Sequence, residues 1–76
     1  MRINRSEMTE LLYETEKEHA EAEKRLPQHD WQVWYGAYMS ERLTMGVAAS
    51  RDYADARVRR WLRMKEVFGE QAAHSV

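Results

Sequence analysis

Pro27 is the only proline in this chain of 76 residues, and it fixes where the fold must turn. A proline disfavours helical geometry at the residue before it, so a helix arriving from the N-terminal side ends at Leu26. The stretch TELLYETEKEHAEAEKRL, residues 9–26, has no glycine or proline to stop it sooner. Beyond Pro27, only Gln28 and His29 precede Asp30, a good N-cap for a second helix starting at Trp31. A connection this short makes the two helices antiparallel neighbours.

The first helix is predicted over about residues 5–26. Asn4 with Glu7 fits a capping box, and Ser6 is a competing N-cap. Met8, Leu11, Leu12, Thr15, His19, Ala22 and Leu26 recur at helical spacing and form its inward stripe. That stripe is bulky at its start and small in its middle. Thr15, His19 and Ala22 therefore leave room for something large on the facing element, while Glu10, Glu14, Lys17, Glu21 and Lys24 lie mainly on the outer side.

The second helix is predicted over about residues 31–46, with Gly46 as its C-terminal stop. Trp31, Trp34, Tyr35, Tyr38, Arg42 and Met45 form one stripe; Gly36, Met39, Leu43 and Val47 form an adjacent one. Together they span half the circumference or more, and a single partner helix covers less than that. This helix should be central, touching the other two and leaving surface for a second subunit. The third is predicted over about residues 51–68, with Ser50 as N-cap and Gly69 as stop. Its apolar side runs through Tyr53 or Ala54, Arg57 or Val58, Trp61, Leu62, Lys65 and Phe68. Asp52 and Asp55 fall near its start, where negative charge complements the helix dipole. Residues 70–76 read as a frayed tail.

The chain thus reads as one all-α domain, residues 1–76, a helical hairpin with a third helix packed across its second member. At 43% hydrophobic residues it is too apolar for disorder. So short a chain has a marginal core of its own. Cysteine is absent, which removes disulfides and thiolate metal sites. Dense aromatic packing and oligomerisation remain as compensation, and a homodimer or higher oligomer is expected. No apolar run is long enough for a membrane span. The opening MRINRSEMTE has no hydrophobic signal core, so a cytoplasmic location is expected.

Three surfaces are candidates for function. Trp31, Trp34, Tyr35, Tyr38 and Arg42 form an aromatic face that either fills the core opposite Thr15, His19 and Ala22 or docks a partner, since Trp and Tyr are enriched at interfaces. Glu16 and His19 make a Glu-x-x-His unit, the ligand spacing of di-iron carboxylate bundles. With Glu23 and Glu41, and a second copy, that unit is the candidate site for iron or another divalent metal; the alternative is a core histidine bonded to a neighbour. His29 shows no identifiable partner in the sequence. Arg57, Arg59, Arg60, Arg63 and Lys65 form a basic helix with Trp61 among them, a nucleic-acid footprint. Against it, the net charge is −1, and seven glutamates on the first helix offer the arginines internal partners. No Gly-rich phosphate loop, Gly-x-Ser-x-Gly, His-Glu-x-x-His or cysteine nucleophile occurs, which favours a non-enzymatic protein-binding, adaptor or assembly role. No cofactor is predicted beyond the candidate metal.

The segment HDWQVWYGAYMSERL, residues 29–43, follows an acidic helix bearing the pair Glu18-His19. This arrangement resembles a pattern in small bacterial proteins, where such a helix precedes Asp-Trp-Pro-x-Trp-Tyr-Ala-x-Tyr. Those look like short, stand-alone helical proteins without an assigned activity. The resemblance covers roughly residues 10–43 and does not extend to the third helix. Here Gln32 stands where proline is commoner and Gly36 where alanine is. The resemblance implies the hairpin and the pairing of His19 with the Trp-Tyr helix.

Overall fold

The computed structural model describes residues 4–74, with side chains up to residue 67. Three helices follow in order: α1 (Arg5–Arg25), α2 (Trp31–Arg42) and α3 (Val47–His74). The predicted core contact of Phe68 and the end of the predicted frayed tail, residues 75–76, lie outside the described residues.

The ends of α1 follow from its sequence. Asn4 caps it: the Asn4 side-chain oxygen accepts from the Glu7 backbone N–H at 2.8 Å, and the Asn4 amide donates to the Glu7 carboxylate at 2.7 Å. At the other end Leu26 is extended, with φ −110° and ψ 151°, as a residue before proline must be. Asp30 occupies the N-cap position of α2 with extended φ and ψ, but its side chain makes no capping hydrogen bond. Its carbonyl accepts from Val33 N–H at 3.1 Å.

The second break differs from the sequence expectation. α2 stops at Arg42 rather than Met45, and α3 starts at Val47 rather than after Ser50. The reason is local. Gly46 supplies the α3 cap, its carbonyl accepting from Ser50 N–H at 3.1 Å, and Val47, Ala48 and Ala49 contain nothing that resists a first helical turn. Ser50 is therefore buried inside α3 instead of capping it. Gly69 does not end α3, because Glu70, Gln71, Ala72 and Ala73 that follow are good helix formers.

α2 is central, as its two apolar stripes require. It packs most extensively on α3, less on α1, while α1 and α3 touch little. Glu14 reaches Tyr38 and Arg42, whereas His19 lies against Trp34 and Tyr35, so α1 and α2 run antiparallel. The core consists of Ala22, Leu26, Trp34, Tyr38, Ala54 and Val58. Trp34 and Tyr38 have 0% exposure and stack at 4.9 Å with an interplanar angle of 10°. They sit opposite Thr15, His19 and Ala22, all buried, which is the small-opposite-large packing expected of the hairpin. A few residues suffice for this core because a buried aromatic removes on the order of 150–250 Å² from water.

Candidate functional site

The aromatic face does not survive as one surface. Trp34 and Tyr38 are interior, Tyr35 is half-buried, and only Trp31 stands out at 53% exposure. Arg42, expected to border a partner, is turned inward to Glu14, with Nε to Oε2 at 2.7 Å. The correction has a simple cause. The holes opposite Thr15 and Ala22 have to be filled, and α2 has nothing else large enough on that side.

The polar tips of these aromatics are tied down. Tyr38 donates its hydroxyl to Glu14 at 2.6 Å, and burial with this bond holds the phenol well above its ordinary pKa. Trp34 Nε1 donates to Asp55 Oδ1 at 2.8 Å. Asp55 is 6% exposed and also accepts from Arg25 Nε and Nη2, each at 3.1 Å. One carboxylate thus joins α1, α2 and α3. A second cross-helix pair, Arg51 Nε to Glu18 Oε1 at 2.8 Å, adds to the α1–α3 contact. The sequence reading assigned Asp55 to the helix dipole. The signal it missed is that Asp55 lies on the inward side of α3, between Ala54 and Val58.

His19 finds a partner that the sequence did not suggest. Its Nε2 lies 3.0 Å from Nε2 of His29, in the loop after Pro27. His29 Nδ1 is 2.7 Å from the Pro27 carbonyl oxygen. A carbonyl only accepts, so Nδ1 of His29 carries the proton, its Nε2 is an acceptor, and His19 donates from Nε2. His19 Nδ1 faces Glu23 Oε1 at 3.9 Å. Burial lowers the His19 pKa below the usual histidine value; Glu23 opposes this and His29 adds to it. Glu16 and Glu23 lie close enough to Tyr35 to raise its phenol pKa, after the larger effect of burial.

The four-residue metal set does not assemble within one chain. Among the described residues, no group of three or more His, Cys, Asp or Glu side chains is placed to hold a metal ion. Glu16 is exposed, Glu23 approaches the His19 nitrogen that points away from His29, and Glu41 lies on α2 near the Arg42 end.

The basic helix also departs from expectation. The α1 glutamates pair with Arg42 and Arg51, not with the Arg57–Lys65 cluster. Among the described residues, Arg57, Arg59, Arg60 and Arg63 are exposed and form no ion pair, while Lys65 Nζ sits 4.9 Å from the centre of the Trp61 ring. Arg57 and Arg60 border an open groove of about 660 Å³ between α2 and α3. Val33, Gly36, Ala37 and Ser40 form one side, and Tyr53, Trp61 and Met64 line the other. Helical spacing sets these α2 residues on the face opposite Trp34, Tyr35 and Tyr38. α1 therefore covers one side of the α2–α3 pair, and the groove opens on the other.

No helix among the described residues is long and apolar enough to cross a membrane. No family model, curated protein or solved structure matches this chain.

Proposed function

We propose that this chain is a non-enzymatic assembly module of the cytoplasm, and that its docking surface is the α2–α3 groove. The occupant is α1 of a second copy. The observation that carries this is Gly36. A methyl group placed there would meet no atom of the described residues within 4 Å, its own helix's nearby backbone aside, so nothing among them needs a glycine. Glycine in a helix interior costs about 1 kcal/mol relative to alanine. A bare backbone flanked by Ala37 and Ser40 makes sense where another backbone approaches closely.

Charge and apolar surface select α1 as that backbone. The groove is apolar along its floor and basic at Arg57 and Arg60. Met8 and Leu12, on the predicted inward stripe of α1, are exposed, as are Tyr13, Glu10 and Glu16 near the same end of the helix. Helices with apolar anchors and a charged flank dock in such grooves. Since α1 and the groove lie on opposite sides of α2, the contact is head-to-tail, so copies join in rings or chains.

Position-specific cross-linking tests this reading. The chain has no cysteine, so Leu12→Cys and Gly36→Cys can be placed in separate copies of different length. Cross-links joining the two lengths are expected. A failure of this pair to link at concentrations where the copies associate would remove α1 as the occupant.

A second reading, nucleic-acid binding through Arg57, Arg59, Arg60, Arg63 and Lys65, draws on arginines that have no carboxylate partner among the described residues. Its test is the binding of a labelled duplex across a salt series. Phosphate contacts release counterions, so affinity that does not fall with salt contradicts it.

A further inference from the structure

We propose that His19 and His29 form a two-histidine site for an imidazole-preferring divalent metal, of the class of Zn²⁺, Ni²⁺ or Cu²⁺. The metal joins α1 to the loop that leads into α2. This inference is independent of the groove.

The geometry is that of two converging ligands, one with its outer partner in place and the other with a carboxylate nearby. Both Nε2 atoms converge, 3.0 Å apart. A tetrahedral metal bonded to nitrogen at 2.0–2.1 Å holds its two nitrogens about 3.3 Å apart, so the rings need to separate by only a few tenths of an ångström. Metal-binding histidines characteristically donate their other ring nitrogen to an oxygen, which fixes tautomer and orientation. His29 does this through Nδ1 to the Pro27 carbonyl at 2.7 Å. His19 has the Glu23 carboxylate 3.9 Å from its Nδ1. Its ring is further held by the edge contact with Tyr35, 5.2 Å between centroids, and by Trp34 at 5.4 Å.

Without metal, one proton lies between the two Nε2 atoms, carried by His19. With metal, both Nε2 lone pairs bond to the ion, and the His19 proton moves to Nδ1, facing Glu23. Both rings stay neutral and no proton leaves. Solvent reaches this corner through a cleft of about 350 Å³ lined by Glu23, Leu26, Pro27, Gln28 and His29, so water completes the coordination. Two protein ligands make such a site exchangeable, and imidazole pairs select Zn²⁺, Ni²⁺ and Cu²⁺ over Mg²⁺ or Ca²⁺.

Calorimetric titration of the full chain with Zn²⁺, paired with Cu²⁺ electron paramagnetic resonance, tests the site. One Zn²⁺ per chain and hyperfine coupling to two imidazole nitrogens are expected. His29→Ala changes a loop residue and should keep the fold. In it, Zn²⁺ affinity should fall at least tenfold and one nitrogen coupling should vanish, whereas His74→Ala should bind like the parent. Zn²⁺ should also raise the melting temperature of the parent and not that of His29→Ala. No stoichiometric binding, or equal binding by the parent and His29→Ala, would overturn the proposal. Binding lost in His74→Ala instead would do the same.

Discussion

The indole nitrogen of Trp34 donates to Asp55 across 2.8 Å, inside the protein, and the same carboxylate oxygen accepts from Arg25. This places a charge at the meeting point of three helices. A buried carboxylate is costly unless bonded, and here three N–H donors from two residues on two other helices satisfy it. The consequence is orientation: Trp34 is held with its nitrogen toward α3 and its ring on Tyr38.

Trp34→Phe keeps most of the ring volume and removes the donor. It is expected to cost about 1.5–3 kcal/mol, the range for a hydrogen bond to a charged group. Asp55→Ala should cost more, because it leaves the Trp34 N–H buried without an acceptor. Urea unfolding of both variants gives the comparison. A neutral Trp34→Phe would mean that the bond contributes nothing to stability.

Ser50 offers a prediction of opposite sign. Its buried hydroxyl has no hydrogen-bond partner among the described residues. Removing an unpaired polar group from an interior helix position is neutral or stabilising, and alanine is the better helix former. Ser50→Ala should therefore leave the melting temperature unchanged or raise it. A marked drop would mean that the hydroxyl has a partner in solution.

The His19 environment sets a pH dependence. Burial disfavours the charged imidazole, so the folded pKa lies below the unfolded value of 6.5. The unfolded chain binds more protons below that value, and stability falls as pH drops. The contribution is complete above the unfolded pKa and is lost as pH falls from there through the folded pKa. Metal-free protein should unfold at lower urea at pH 5 than at pH 7.5, and His19→Gln should flatten that part of the profile. An unchanged slope in His19→Gln would assign the effect to another group.

Gly36→Ala should raise the stability of the isolated chain by about 1 kcal/mol, since the added methyl meets nothing and helix propensity improves. Thermal unfolding at a concentration too low for association reads this directly. Destabilisation would show that the position is crowded within the chain.

The helices and the core were legible because they rest on local and periodic signals. Pro27, the Asn4–Glu7 cap and the spacing of Thr15, His19 and Ala22 are enough to derive the hairpin and what fills it. The α2–α3 turn was misread by a few residues. Gly46, of a residue type that more often ends a helix, here starts one, and Ser50 mimics a cap that nothing requires. The polar partners were harder to read. His19 and His29 are ten residues apart across a break in helical register, so no helical spacing relates them. Asp55 resembles any charge near a helix start until its side of α3 is known. The groove was hidden because it depends on which face of α2 the first helix covers, and only the packed structure decides that.

Sedimentation equilibrium on the parent chain and on Gly36→Leu tests the assembly reading most directly. A Cβ at position 36 meets no atom of the described residues within 4 Å, so a leucine there extends into the open groove and fills its floor. The parent is expected to associate beyond a monomer, and Gly36→Leu, with an unchanged helical spectrum, to remain monomeric. A parent that stays monomeric at high protein concentration, or a Gly36→Leu variant that associates as well as the parent, would contradict it.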